Sequence, residues 1–314
     1  MKAVRSAPPA VEVVDVPDPT DDAGLVTVRS ASICGSDFGY IGWGSTFVLG
    51  HELAGTTADG TAVCVEAAFG CGRCEWCRQG KVNLCPHMGE RVPGMNSDGG
   101  MSQYFNAPTA SLVRLPEGLE ARDACLVEPT AVSWHGCRIA GVGPETSVAV
   151  VGGGAIGLLA TAAARAQGAP EVALDARHAH QVEAGERLGA TAMAGGTGYD
   201  IVIEAAGTET SLARALQLVR PEGTVVILGV FAPTTPFPYI DALLKEARVL
   251  SSICYCRYEG GRDFDDAANL LARDPEIINT VISHRFPLDD ATEAFRVASD
   301  KKSGAIRVVV EPWN

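Results

Sequence analysis

The chain has 314 residues, a hydrophobic fraction of 46% and a formal net charge of −13 at pH 7. This length suits about two packed domains, and neither a leader at Met1 nor an apolar run near the ~20 residues of a membrane span is visible, so we expect a cytoplasmic protein. The negative charge repels phosphodiester backbones and therefore argues against nucleic-acid and anionic-membrane partners.

The first half of the chain has the pattern of a β-rich domain. Short alternating strands, such as Leu25–Val28 and Met101–Asn106, are separated by turn residues over the first ~115 positions. A helix that contains Glu128 and Pro129 and passes from one domain to the other is predicted over Cys125–Ala140.

From Ser147 onward, apolar runs alternate with helical stretches. Strands are predicted at 148–151, 172–174, 201–204 and 225–228, with a helix at 155–167 after the first of them. Such strand-helix repetition predicts a parallel doubly wound sheet. After about Arg262 come one more helical stretch and the short strand Ile306–Val310, which we expect to return to the first half. The expected boundaries are therefore 1–128, 129–262 and 263–314.

Four cysteines fall within fifteen residues of the first half, at Cys71, Cys74, Cys77 and Cys85. The spacing Cys-x2-Cys-x2-Cys-x7-Cys allows one short lobe, 71–85, to place four thiolates around a tetrahedral zinc ion. Such a site has no open position, so we expect it to stabilise the fold and not to take part in catalysis. A disulfide framework or scattered buried thiols are the alternatives, and the ten cysteines of a chain without an export signal favour reduced thiols and metal ligands.

A glycine fingerprint follows the strand Val148–Val151 directly. It reads Gly-x-Gly-x-x-Gly, with Gly152, Gly154, Ala155, Ile156 and Gly157 at the start of an alanine-rich helix. In this context the motif indicates a dinucleotide whose pyrophosphate lies at the helix N-terminus.

The end of the second strand of this half decides between NAD and NADP. Asp175 is able to accept hydrogen bonds from the adenosine ribose, as NAD requires, whereas Arg177 and His178 offer positive charge to the 2′-phosphate of NADP. Both readings remain open at this point.

With these motifs assembled, the chain resembles the zinc-dependent medium-chain alcohol dehydrogenases, in particular the sorbitol, polyol and threonine dehydrogenase branch. The resemblance covers essentially the whole chain and rests on motifs in a shared order: Cys34-Gly35-Ser36-Asp37, Gly50-His51-Glu52, the four cysteines, Asp98-Gly99-Gly100, Glu128-Pro129, the glycine fingerprint and His284–Leu288. It implies a GroES-like catalytic domain, a Rossmann cofactor domain, and a homodimer or homotetramer.

The resemblance also implies a second, catalytic zinc. Cys34 and His51 would be its ligands, with Glu128 preferred over Glu52 as the third, and Asp37 would orient His51. The zinc would activate an alcohol oxygen, and Ser36 would accept the alcohol proton while the nicotinamide takes the hydride. The implied reaction interconverts a secondary alcohol and its ketone or aldehyde. Further cofactor contacts are expected at Gly207, Leu228 and Val230.

Two departures from the family pattern affect these expectations. Gly39 stands where polyol dehydrogenases often carry a histidine of the proton relay, so the relay must end at Ser36 and ribose or use water. Without gaps, the NAD-selecting aspartate falls on Ala176, with Asp175 one residue early and on the other side of the strand, which favours NADP; a one-residue bulge would restore NAD. A zinc-free quinone or enoyl reductase and a catalytically silent dinucleotide-binding protein are the remaining alternatives.

Overall fold

The computed structural model describes residues 1–20, 23–193, 196–300 and 302–314. These residues form two compact units, of which the first comprises Met1–Glu128 and Tyr255–Asn314 and the second comprises Pro129–Cys254. Within the described ranges, every helix lacks the combination of length and apolar character that crossing a bilayer requires.

Short strands dominate the N-terminal part of the first unit. Its elements are β1 (Lys2–Ala7), β2 (Ala10–Asp15), β3 (Leu25–Ser32), α1 (Gly35–Gly42), β4 (Glu52–Thr57), β5 (Ala62–Val65), α2 (Glu75–Arg78), β6 (Tyr104–Asn106) and β7 (Leu112–Arg114). The predicted strand Met101–Asn106 is shortened to β6, because Met101 bonds instead to the backbone of Val4 and Leu49.

The second unit alternates strands with helices. Its elements are α3 (Val127–Ala140), β8 (Val148–Val151), α4 (Ala155–Ala166), β9 (Val172–Asp175), α5 (Ala179–Arg187), β10 (Thr191–Ala192), β11 (Tyr199–Glu204), α6 (Glu209–Leu218), β12 (Val219–Ile227), α7 (Tyr239–Lys245) and β13 (Arg248–Ser251). The first two residues of α3 belong to the first unit. Six parallel strands lie in the order β10-β9-β8-β11-β12-β13. Strand β8 is buried throughout, as expected for a parallel strand covered on both faces. The predicted doubly wound sheet is confirmed.

The C-terminal part adds strands to the first unit. Its elements are β14 (Arg257–Tyr258), β15 (Gly261–Arg262), α8 (Asp263–Arg273), α9 (Pro275–Val281), β16 (Ile282–Pro287), α10 (Ala291–Ser299) and β17 (Arg307–Glu311). Strand β17 lies between β16 and β3 in a sheet of order β16-β17-β3-β4-β5-β7, and β6 also pairs with β3. The last strand of the chain therefore completes the sheet that its first half begins.

One boundary differs from the sequence prediction. Residues 255–262, which the sequence places in the cofactor domain, belong to the first unit. The backbone N–H of Arg257 donates to Gly80, the ring of Tyr255 packs edge-on against Phe264, and Arg262 forms an ion pair with buried Glu66. The contacts to Gly80 and Glu66 join segments distant in sequence, so no local composition change marks them.

Candidate active site

Two neighbouring strands bring the first set of candidate ligands together. Strands β3 and β4 are antiparallel, with Ser32 opposite Glu52. Cys34 follows the end of β3, and His51 directly precedes the start of β4. Because the end of one strand and the beginning of its antiparallel partner meet at the same edge of a sheet, residues 34 and 51 become neighbours.

Cys34, His51 and Glu52 form a group of potential metal ligands. One ligand atom from each side chain lies within 4.8 Å of the others. A thiolate, an imidazole and a carboxylate are a donor set suited to zinc. Among the described residues, Glu128 is not part of this group, although it is charge-coupled to Glu52 and His51.

The buried carboxylate of Asp37 faces the ring of His51. Its Oδ2 accepts a hydrogen bond from the backbone N–H of Cys34 at 2.9 Å, and its Oδ1 lies 3.5 Å from His51 Nδ1. Burial raises the pKa of Asp37 to about 6, although the nearby His51 opposes that shift. Burial also disfavours the charged imidazole of His51, but the Cys34 thiolate and Asp37 outweigh this and raise its pKa well above its usual value. With Asp37 beside Nδ1, the other ring nitrogen is the one left to face a metal.

A buried arginine from the C-terminal strand completes this region. Arg307 on β17 donates to Glu52 Oε1 at 3.1 Å and to the carbonyl of Ile33 at 2.7 Å, while the Ser32 hydroxyl donates to Glu52 Oε2. Glu128 is also buried, and burial together with the charge of Glu52 raises its pKa to about 7. The surroundings of Cys34 thus include the three carboxyl groups of Asp37, Glu52 and Glu128, which suit a divalent cation when they are ionised.

Ser36 lies in the first turn of α1, two residues after Cys34. Its Oγ is 3.2 Å from His51 Nε2. The ring of Tyr40 lies 5.9 Å from that of His51. A hydroxyl group therefore stands next to the imidazole nitrogen that faces away from Asp37.

The four-cysteine lobe is the second group of potential ligands. The Sγ atoms of Cys71, Cys74, Cys77 and Cys85 lie within 4.8 Å of one another. Backbone N–H groups donate to three of these sulfurs: Cys71 to Cys85 at 3.3 Å, Cys74 to Cys71 at 3.4 Å and Cys77 to Cys74 at 3.4 Å. Hydrogen bonds from the backbone of Arg73 and Cys74 lower the pKa of the Cys71 thiol to about 6. All ten cysteines lie in the described ranges and are free thiols, so the structure does not contain the disulfide framework considered as an alternative.

The glycine turn between β8 and α4 has the geometry of a pyrophosphate site. Gly152 has φ +114°, a conformation that side chains rarely adopt, and a Cβ on Gly157 would lie 1.8 Å from the carbonyl oxygen of Gly152. A Cβ on Gly154 would meet no described atom within 4 Å, so this residue borders open space. Gly154 is the N-cap of α4, and Ala155 and Ile156 begin the helix. These positions leave the helix N-terminus accessible to an anionic group.

The side chains at the end of β9 and just after it point in different directions. The carboxylate of Asp175 accepts a hydrogen bond from Arg214 Nε at 2.8 Å. The Cβ of Ala176 faces the glycine turn instead, since it would lie 2.6 Å from a Cβ on Gly153. Arg177 is exposed, and the ring of His178, the N-cap of α5, stacks on that of His180 at 5.6 Å.

Gly207, one of the predicted cofactor contacts, is held by a buried carboxylate that the sequence prediction missed. Glu204 Oε1 accepts the backbone N–H groups of Ala206 and Gly207, each at 2.8 Å. Gly207 has φ +65° and lies against the backbone of Val230, whose side chain is exposed, while Leu228 packs against Gly136. An acidic residue at the end of an apolar strand, followed by a small residue and glycine, is the signal that would have identified Glu204.

Comparisons with known proteins agree with both halves of this arrangement. Residues 20–117 match the alcohol dehydrogenase GroES-like domain, and residues 155–273 match the zinc-binding dehydrogenase family. The chain is 33% identical over 308 residues to D-xylulose reductase A from Aspergillus oryzae, which covers 86% of this chain and 85% of the relative. It is 32% identical to a zinc-binding dehydrogenase from Sinorhizobium meliloti 1021 solved with NADP, with a TM-score of 0.86 and 99% of each chain covered. The structure of L-idonate 5-dehydrogenase from Escherichia coli aligns with a TM-score of 0.87 at 26% identity over 99% of this chain and 97% of that one.

The chain belongs to the zinc-dependent medium-chain alcohol dehydrogenases. It is therefore a nicotinamide-dependent oxidoreductase with a GroES-like domain, and the family predicted from its motifs is confirmed. The similarity to polyol and ketose enzymes also confirms the predicted branch. Within this family, the Cys34 group and the glycine turn are the candidate chemical centres of the two units.

Proposed function

We propose that this dehydrogenase interconverts a polyol-type secondary alcohol and its ketone, with zinc bound by Cys34, His51 and Glu52 and with NADP as the preferred cofactor. The observation that carries the proposal is the convergence of these three side chains within 4.8 Å, with Ser36 beside them. The names of the relatives support the substrate class, because they include D-xylulose reductase A and L-galactonate-5-dehydrogenase.

The residues of the first unit fit a catalytic zinc. A bound zinc ion supplies Lewis acidity that lowers the pKa of a substrate hydroxyl by several units. Cys34, His51 and Glu52 would supply three protein donors, the number typical of catalytic zinc sites. Asp37 fixes the ring of His51, and Arg307 holds the carboxylate of Glu52. We propose Glu52 as the third ligand because it joins the ligand group and Glu128 does not.

The proton path begins at Ser36 in this proposal. Its hydroxyl accepts the alcohol proton and passes it onward, to the cofactor ribose or to water. Gly39 supplies no side chain for a further step, and a Cβ there would meet no described atom within 4 Å. The described neighbour of the Ser36 hydroxyl is His51 Nε2, at 3.2 Å.

The four-cysteine lobe is proposed to hold a second, structural zinc. Four thiolates fill a tetrahedral shell, so this ion contributes folding free energy and does not contact substrate. The backbone N–H···S bonds of the lobe support this role, because they stabilise thiolates in a fixed arrangement.

The preference for NADP rests on the residues after β9. The small Ala176 leaves space beside the glycine turn, and Arg177 and His178 offer positive charge at the start of α5. The relative from Sinorhizobium meliloti was solved with NADP, in agreement with this proposal. NAD remains the cofactor expected if Asp175 turns toward the ribose.

Steady-state rates of the zinc-loaded protein test the proposed reaction. Polyols with NADP⁺ or NAD⁺, and ketoses with NADPH or NADH, should give turnover that rises with zinc content and is faster with the phosphorylated cofactor. A paired comparison of Glu52→Gln with Glu128→Gln tests the ligand assignment, since the first change should reduce zinc affinity more strongly. Absence of turnover with every polyol and ketose would contradict the proposed substrate class.

Self-association is proposed through the β13 edge of the cofactor unit. Strand β13 ends the parallel sheet as described, and α7 exposes apolar side chains, among them Leu244 with 77% of its surface accessible. Unpaired strand edges and exposed apolar side chains are typical of interfaces between copies of a chain. The mass of Leu244→Glu, measured by light scattering, should fall below that of the wild type; an unchanged mass would contradict this interface.

A further inference from the structure

An ion pair lies beside the glycine turn of the cofactor unit. Asp175 is the last residue of β9, and Arg214 lies on α6. The guanidinium Nε donates to Asp175 Oδ2 at 2.8 Å, and the two side chains are 38% and 34% exposed. The backbone carbonyl of Asp175 accepts the N–H of Gly152 at 2.9 Å, so the carboxylate belongs to the residue that borders the turn.

The neighbouring residue shows which side of the strand faces the cofactor. Ala176 lies against Gly153, and a Cβ on Gly153 would also meet Gln181 of α5 at 2.8 Å. Successive side chains of a strand point to opposite faces, so Asp175 is directed away from this side and toward α6. Arg214 holds it there.

Charge makes this arrangement relevant to cofactor choice. Dinucleotides bind at the carboxyl ends of parallel strands, and the adenosine ribose lies near the end of the second strand. A 2′-phosphate at that place is repelled by an uncompensated carboxylate, whereas a carboxylate able to turn to the ribose would favour the 2′-hydroxyl of NAD. An ion pair with Arg214 weakens the repulsion and holds the carboxylate away from the ribose.

We infer that Arg214 is a positioning residue for cofactor selection, which favours NADP by holding and neutralising the Asp175 carboxylate. This inference rests on the proposed preference for NADP. Arg214 acts through Asp175 and does not itself contact the 2′-phosphate.

Equilibrium binding to the zinc-loaded protein tests the inference without a need for turnover. The dissociation constants of NADPH and NADH are measured by nucleotide fluorescence for the wild type, Arg214→Gln and the double variant Asp175→Asn/Arg214→Gln. We expect Arg214→Gln to weaken NADPH binding about tenfold relative to NADH binding, within the usual range of pairwise coupling. The double variant should regain most of this loss, because it no longer carries the carboxylate.

The chain offers a matched control in the same unit. Arg220 forms a similar pair with Asp200, Nε to Oδ1 at 2.7 Å, with 44% and 29% exposure. Asp200 lies near the start of β11, whereas the glycine turn follows the end of the neighbouring parallel strand β8, so the two lie at opposite ends of the strands. Arg220→Gln should leave the ratio of NADPH to NADH affinity unchanged. Arg214→Lys, which keeps the charge, should retain most of the wild-type ratio.

Three results would overturn the inference. Equal weakening of both nucleotides by Arg214→Gln would indicate a general structural role. A double variant as weak as Arg214→Gln would mean that Arg214 binds the phosphate directly. An unchanged ratio in Arg214→Gln would show that the pair does not influence selection. The wild-type ratio separately tests the proposed function: a protein that prefers NADH refutes the NADP preference, even where the substitution still shifts the ratio.

Discussion

The four-cysteine lobe and the Cys34 group are two candidate metal sites of one folded unit, built in opposite ways. The lobe takes all its ligands from a fifteen-residue segment, and three of its four cysteines are only partly buried. The Cys34 group combines three ligand types, and its Glu52 is paired with an arginine 255 residues away. Four identical thiols close a tetrahedron, whereas a mixed set of three leaves a position open. We therefore expect the closed set of ligands to contribute stability and the open set to contribute reactivity.

The largest effect that separates the sites is expected from Cys34→Ser. Loss of this ligand removes the metal-dependent activation of the alcohol, which is worth several kcal/mol, so kcat should fall by about 10³-fold or more. Binding of NADPH, measured by fluorescence, should change little because the glycine turn is intact. Cys64→Ala, a buried thiol outside both ligand groups, is the control and should retain turnover. Turnover near the wild-type rate in Cys34→Ser would refute the catalytic assignment.

A smaller loss is expected from Ser36→Ala. Removal of a positioned proton acceptor should lower kcat by about 10²-fold or more while the zinc content stays the same. Ser36→Thr, which keeps the hydroxyl, should recover part of the rate. If Ser36→Ala leaves kcat unaltered under conditions where hydride transfer limits the rate, the proton does not pass through this side chain.

Replacement of the Asp37 carboxylate should lower kcat by less than the loss of Ser36 but by more than a change in the four-cysteine lobe. Asp37→Asn removes the negative charge beside His51 Nδ1, and changes of this kind typically cost about 10- to 100-fold in metal affinity or activity. Zinc affinity, measured by competition with a chelating dye, should weaken together with kcat. A variant that binds zinc as tightly as the wild type and turns over as fast would remove Asp37 from the proposal.

The smallest effect on rate is expected in the lobe. Cys74→Ser should change kcat per folded molecule by less than about threefold, because its thiolate is proposed to bind a structural ion alone. The midpoint of thermal unfolding should instead fall by several degrees, as loss of a structural ion removes folding free energy. A large loss of kcat with an unchanged midpoint would reverse the roles of the two sites.

The contrast between the sites also explains what the sequence revealed. The lobe is local, so its spacing alone predicts a ligand group that the structure brings together. The parallel sheet follows from strand-helix alternation, and the glycine turn from its motif, because both are patterns of neighbouring residues. Cys34 and His51 needed the resemblance to a family, since only the pairing of β3 with β4 makes them neighbours.

Features that depend on contacts between distant segments could not be predicted from the sequence. Arg307 lies beside Glu52 because β17 joins the sheet next to β3, and no spacing encodes that pairing. The choice between Glu52 and Glu128 depends on side-chain positions at one sheet edge. Asp175 and Arg214 are 39 residues apart, on a strand and a helix whose packing decides where the carboxylate points. Residues 255–262 join the first unit through contacts of the same long-range kind.

We propose that one chain holds two zinc ions with separate roles, and the wild-type holoenzyme offers the most direct test. Zinc content, by mass spectrometry, is followed with kcat and with the circular dichroism of the fold during dialysis against a chelator. We expect about two zinc ions per chain at the start, with activity lost alongside one ion while the fold and the second ion remain, and with activity restored by added zinc. Full activity after loss of either ion, or a single zinc ion in the fully active enzyme, would contradict the claim.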